Sequence, residues 1–298
     1  MLFMPHFQIE KYHMIQRNEI EISNPNDFFD SFNPAYLYCI VSRNRISIET
    51  QSASFDDKYI YLNFDIHNSG QTIKEKIYFD HNYKDLVELR IESEFPFNNF
   101  LVKDELGSTL IGGKASYFLE NELVYPQVKH KEFLNYEILY IGQSVLEGKP
   151  APALDRILKH ETMQKILEDY LGKHHDKEIF TVLFSYKKTN VIDIPENISN
   201  EERELFSKKF IPYWYSPTKK QIEHTVNTIE ASLINYFKPK YNDKFIKNPP
   251  SKYHTSFNEL HSMNLKKVSI TFVLEGFNPL LYTEIVQRKR QYNIEFNF

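Results

Sequence analysis

Cysteine is nearly absent from this chain. The single thiol, Cys39, excludes an internal disulfide and any zinc site built on cysteines. Its neighbours, Tyr36-Leu37-Tyr38-Cys39-Ile40-Val41, read as a strand, so an inert buried thiol is expected. Glycine is scarce, 8 in 298 residues, and each one kept should mark an obligatory turn. No apolar run approaches the roughly 18 residues needed to span a bilayer. The first residues, Met1 to His6, lack the basic segment and apolar stretch of a secretory signal. A cytoplasmic protein with no membrane partner is the expectation.

Aromatic residues are abundant, with 24 Phe and 20 Tyr, enough for more than one core. The net charge of −4 is unevenly spread. Acidic residues dominate the first 125 positions, and basic ones slightly outnumber them thereafter. The acidic part is a poor partner for phosphate and a better one for another protein or a second copy of the chain. The remainder tolerates a polyanion without demanding one.

Pattern divides the chain. Strand-like runs fill Tyr36 to Asn121, with Tyr59–Ile66 alternating and Asn68-Ser69-Gly70 as a hairpin turn. Beyond them, Glu137–Ile141 reads as a short strand and Ala153–Leu171 as a helix. Ile179–Phe184 reads as a strand, 187–218 as a polar insertion, and Thr218 to about Phe237 as the longest helix. Val268–Leu274 and Leu280–Val286 are further strand candidates. The expected class is α+β. A mainly-β N-terminal domain (1–122) precedes an α/β unit (123–245), and a C-terminal β extension (246–298) packs on one of the two.

Chemically capable side chains gather around residues 137–160. Tyr140 ends a buried strand, and Arg156 and His160 lie one turn apart on the following helix. On the long helix Glu230 follows Ile229 and borders the apolar stripe. The plain reading is an Arg156–Glu230 ion pair at a domain surface. The residue types open another, since phosphodiester hydrolysis needs water activation, a cation for the pentavalent intermediate and a metal. One Glu with water and phosphate oxygens can hold Mg²⁺. Arg156 can fork onto phosphate, and Tyr140 with His160 can move a proton.

Two segments carry a resemblance. Tyr140-Ile141-Gly142, then Arg156, then Glu230 through Leu233-Ile234, Tyr236, Lys238-Pro239 and Tyr241-Asn242 resemble the GIY-YIG nuclease superfamily over about residues 123–245. The resemblance implies a small three-stranded antiparallel sheet flanked by helices. It implies a metal-dependent endonuclease, on double-stranded DNA by preference, using one Mg²⁺ or Mn²⁺. Tyr140 would stand next to the attacking water, Arg156 would be the transition-state cation, Glu230 the sole metal ligand and His160 the proton-transfer partner. Gly142 and Asn242 would support the site. The Gly-Ile-Tyr half of the signature is absent as such; Leu123-Val124-Tyr125 is its nearest counterpart, with Tyr125 as the tyrosine. Gln143 stands where a lysine commonly follows the signature. Loss of that lysine and of the glycine leaves a second expectation, a catalytically inactive nucleic-acid or protein-binding relative. Gln143 and Trp214 are candidate nucleic-acid contacts, with a packed insertion as the alternative for Trp214. His174, His175 and His224 are expected at the surface, and Arg288-Lys289-Arg290 on a solvated strand edge.

Overall fold

The computed structural model describes residues 2–16, 19, 34–83, 86–146, 149–150, 161–193, 199–247, 255–265 and 267–297. In chain order the strands are β1 (Leu2–Ile15), β2 (Leu37–Asn44), β3 (Ile46–Ile48), β4 (Ser54–Phe55), β5 (Tyr59–Asn68), β6 (Gln71–Asp80), β7 (Leu89–Glu92), β8 (Asn99–Asp104), β9 (Thr109–Lys114), β10 (Tyr136–Gln143), β11 (Val145–Leu146), β12 (Lys149–Pro150), β13 (Lys177–Asp193), β14 (Lys267–Val273), β15 (Leu281–Tyr282) and β16 (Gln291–Asn297). The helices are α1 (Ala115–Glu120), α2 (Glu161–Lys173), α3 (Asn200–Leu205), α4 (Ile211–Tyr215), α5 (Lys219–Phe237) and α6 (Thr255–Ser262). The class is α+β, as expected.

Seven strands make one sheet in the order β15-β10-β2-β13-β1-β14-β16. All neighbours are antiparallel except β10–β15 and β1–β14. The interior strand β2, between β10 and β13, is buried at every one of its 8 positions. Leu37, Cys39 and Val41 enter the core on one face, and Tyr38 and Ile40 the core on the other. Burial pushes the Cys39 thiol pKa far up, which leaves it inert. Past Arg45 the chain leaves this sheet as β3 and builds a satellite from the strands between β3 and β9, with its own core around Ile46, Leu62, Phe64 and Phe100. There β5 buries every second side chain, and its turn to β6 places Ser69 and Gly70 at positive φ (49° and 81°), the hairpin geometry the sequence signals.

The sheet order corrects the division at residue 122. β1 and β2, from the first 44 residues, lie between or beside strands of the expected second domain. The C-terminal strands β14 to β16 complete the same sheet. Among the described residues of 123–245, β10 and β13 do not pair with each other, because β2 stands between them; the expected separate three-stranded sheet is replaced by part of this wider one. Of Leu280–Val286, only Leu281–Tyr282 forms a strand.

The junction between satellite and large sheet is polar and buried. The Arg43 guanidinium, fully buried, bonds Glu120 at 2.5 Å and Glu178 at 3.1 Å. It lies over the rings of Tyr136 and Phe180. Tyr136 donates to Glu120 at 2.6 Å. Burial pushes the Glu120 carboxyl up to about 7, outweighing Arg43 and the Tyr136 hydrogen bond, with Glu178 adding repulsion. A folded pKa above the ordinary 4.5 means that the native state keeps a proton the unfolded chain has released. Stability is then full below the unfolded value and falls as pH rises towards about 7. The thermal midpoint should drop across that window in the wild type and hold flat in Glu120→Gln. An equal slope in both proteins would remove Glu120 as its cause.

Candidate functional site

The site is built on a bulge in β10. Ile138 pairs with Val41 but Tyr140 pairs with the next residue, Ile40, so β10 carries one extra residue. Tyr136 and Ile138 face one core, and Leu139 and Tyr140 both face the other. Without the bulge Tyr140 would point into the first core with Ile138. With it, Tyr140 turns to the side that holds Tyr38, Ile40 and the buried face of α2. The rings of Tyr38 and Tyr140 lie 6.0 Å apart. Gly142 passes beneath both: a Cβ there would sit 2.6 Å from Tyr38 Cζ and Oη and 2.8 Å from Tyr140 Cε1. Its role is close approach, not a left-handed turn.

The long helix α5 covers the opposite face of the sheet. Thr218 and Gln221 close a capping box at its start. Val226, Ile229, Leu233 and Phe237 enter the core. Asn227 and Glu230, one turn apart and half-buried, share another face. Asn227 accepts a hydrogen bond from the Gln143 amide, which fixes this flank of α5 against the end of β10. After Phe237 the chain turns through Lys238 in the left-handed conformation and runs along the outer edge of β10. Tyr241 N donates to Leu139 O at 3.0 Å. Asn242 brackets Ile141, its Oδ1 accepting from Ile141 N and its Nδ2 donating to Ile141 O, both at 2.9 Å. The Tyr241 hydroxyl donates to Asp169 of α2 at 2.8 Å, which holds the Asp169 carboxylate below its usual range.

Tyr140, Gly142, Gln143, Asn242 and the flank of α5 that carries Glu230 thus come together around β10. Arg156 and His160 lie outside the described residues. Tyr125 does not join them. It stands in a short helical turn, Tyr125–Gln127, packed against the satellite core, with Lys131 over its ring. The tyrosine on the strand beside Tyr140 is Tyr38, which the sequence reading passed over. The signal available was Tyr36-Leu37-Tyr38 at the start of a strand, hidden because the satellite separates it from Tyr140 in sequence. Trp214 is also misassigned as a nucleic-acid contact. It is 5% exposed, stacked on Phe210 at 5.5 Å and packed against Phe7, as the alternative reading of a packed insertion had it. His224 is buried rather than exposed, its Nδ1 3.3 Å from Glu259 of α6.

The donor set suits a hard divalent cation held largely by water and substrate. Glu230 offers one carboxylate, and Gln143 Oε1 is a buried carbonyl oxygen with no hydrogen-bond partner among the described residues. Among those residues no three His, Cys, Asp or Glu side chains cluster as an all-protein metal site. Nor is any described helix long and apolar enough to cross a membrane. Set against known protein families, curated proteins and solved structures, the chain gives no match.

Proposed function

We propose that the protein is a divalent-metal-dependent endonuclease of the GIY-YIG type, cutting double-stranded DNA. One observation carries the reading: the Asn242 side chain brackets both backbone polar groups of Ile141. The two signature segments, 101 residues apart, are thereby hydrogen-bonded to each other. The antiparallel trio β10-β2-β13 with helices on both faces gives further support. Tyr38 then takes the place assigned from sequence to Tyr125.

Tyr140 and Glu230 approach β10 from opposite faces of the sheet. A phosphodiester laid across the outer edge of β10 would meet both. Glu230, one turn along α5 from the Asn227 that Gln143 binds, would hold Mg²⁺ or Mn²⁺. When bound, the ion would supply charge stabilisation at phosphate and help to the leaving group. Tyr140 and His160 would orient the attacking water and take its proton, and Arg156 would fork onto the phosphate. Tyr38 limits how far the Tyr140 ring can swing.

The test is nicking of supercoiled plasmid with Mg²⁺ or Mn²⁺ by the wild type, Glu230→Gln and Tyr140→Phe. The wild type should nick only with metal, Glu230→Gln should fail, and Tyr140→Phe should lose on the order of 100-fold or more. Equal nicking by all three preparations defeats the reading. One observation favours a second reading, a non-catalytic nucleic-acid or protein-binding relative. The residue after the signature is a neutral glutamine whose amide is already bound to Asn227. Metal-independent DNA binding without nicking would select it.

A further inference from the structure

The geometry points to the loop after α5, residues 238–247, as a phosphate-backbone clamp that holds duplex DNA beside β10. This rests on the nuclease reading of the neighbouring site. The loop carries Lys238, Lys240, Lys244 and Lys247 against a single acid, Asp243, and all five are exposed. None of the four lysines has an ion-pair partner among the described residues. Several lysines elsewhere are paired, such as Lys173 with Asp169, Lys208 with Glu204 and Lys267 with Glu295. Unneutralised lysines retain the condensed-counterion exchange that drives binding to DNA.

The loop is also rigid where a solvated tail would be slack. Lys238 has φ 48° and Phe245 φ 64°, a region that side-chain-bearing residues rarely occupy. Glycine is the usual residue at the position Lys238 holds after a helix. A lysine kept there at a conformational cost suggests that its side chain is used. Asn242 fixes the middle of the loop on Ile141, Tyr241 fixes it on Leu139, and the Asn235 amide donates to Phe245 O at 3.0 Å. The same hydrogen bonds that fix the loop fix the strand of Tyr140. The lysines therefore stand at a set position relative to the site. Lys240 and Lys177, with His174, also lie within electrostatic reach of the half-buried Glu137 carboxyl, as Glu284 does from the acidic side. Duplex DNA matches this loop better than a protein partner does, because closely spaced backbone charges engage several lysines without needing apolar contact.

The experiment is duplex binding by fluorescence anisotropy across a salt series, in a Glu230→Gln background with Mg²⁺ present. The clamp variant is K238Q/K240Q/K244Q/K247Q. The control, Lys58→Gln with Lys76→Gln, removes exposed charge from the satellite hairpin. The clamp variant should bind on the order of 100-fold more weakly at low salt, with a slope of log K against log salt shallower by about 3. The control should keep the parent's slope, and the melting temperatures of all three should agree, since the lysines are exposed. A clamp variant with the parent's slope overturns the clamp, while metal-dependent nicking by the wild type would leave the nuclease reading standing. A control variant that loses slope as steeply per charge also overturns it, because net charge alone would then be the cause. A wild type that neither nicks nor binds duplex overturns both.

Discussion

Gly142→Ala should abolish most of the proposed nuclease activity while leaving a folded protein. The added Cβ would meet Tyr38 Cζ and Oη at 2.6 Å and Tyr140 Cε1 at 2.8 Å, all closer than carbon atoms approach. Which ring yields decides the outcome. Tyr38 is 1% exposed and walled by Ile40, Leu139 and α2, so it cannot swing away. Tyr140 is only half-buried, so of the two rings it is the one less confined. The clash therefore displaces the side chain on which the proposed reaction depends. A misplacement of about 1 Å at a reacting group costs on the order of 100-fold in rate. Overpacking of this kind costs about 1–3 kcal/mol in stability. Nicking rates and melting curves of Gly142→Ala read both effects. Adding Tyr38→Leu to Gly142→Ala makes room for the methyl and should restore the melting temperature. Wild-type nicking and melting in Gly142→Ala alone would show that the contact is slack and that Gly142 does not set Tyr140.

The same strand shows how much of the site was legible. Tyr140, Gly142 and the long helix with Glu230 and Asn242 stand in a local order that sequence preserves. Tyr38 was not legible, although it packs against Tyr140. The chain leaves the sheet after β2, builds a satellite core of its own, and returns only at β10. A local reading then takes Tyr125, in Leu123-Val124-Tyr125, which folds with the satellite.

Bulges explain another loss. β1 is the longest strand of the first half, yet no strand was read there. Phe7 and Ile9 face the large core, and so do Tyr12 and Met14, because the register shifts between Ile9 and Tyr12. The apolar phase moves from odd to even positions midway, and a strict two-residue period fails across the shift. β5 has no such break, and its alternation is plain in the sequence. β16 alternates too, through Tyr292, Ile294 and Phe296, but its outward positions are Gln, Asn and Glu, which resemble a polar tail. The boundary at residue 122 failed for a related reason. Composition changes where the satellite ends, whereas the sheet is assembled from strands before and after it.

Arg43→Met is expected to cost the most stability of any single substitution at the satellite junction. Methionine keeps much of the side chain's volume, so packing on Tyr136 and Phe180 is largely retained while the charge is lost. Glu120 and Glu178 would then face each other in a buried site with no cation between them. Removing one partner of a buried ion pair costs about 3–5 kcal/mol, because the remaining charge stays desolvated. With Arg43 gone, the Glu120 carboxyl would hold its proton more tightly still. The variant should therefore approach wild-type stability at acid pH and fall away as pH rises, more steeply than the wild type does. Chemical denaturation of Arg43→Met at about pH 5 and pH 8 reads this directly. The Arg43→Met/Glu120→Gln double variant should recover part of the loss at the higher pH, since it leaves only Glu178 charged. A nonzero coupling energy between the two positions, larger at the higher pH, identifies the charge on Glu120 as the cause. Equal destabilisation of Arg43→Met at both pH values would assign the loss to packing and reject the electrostatic account of the junction.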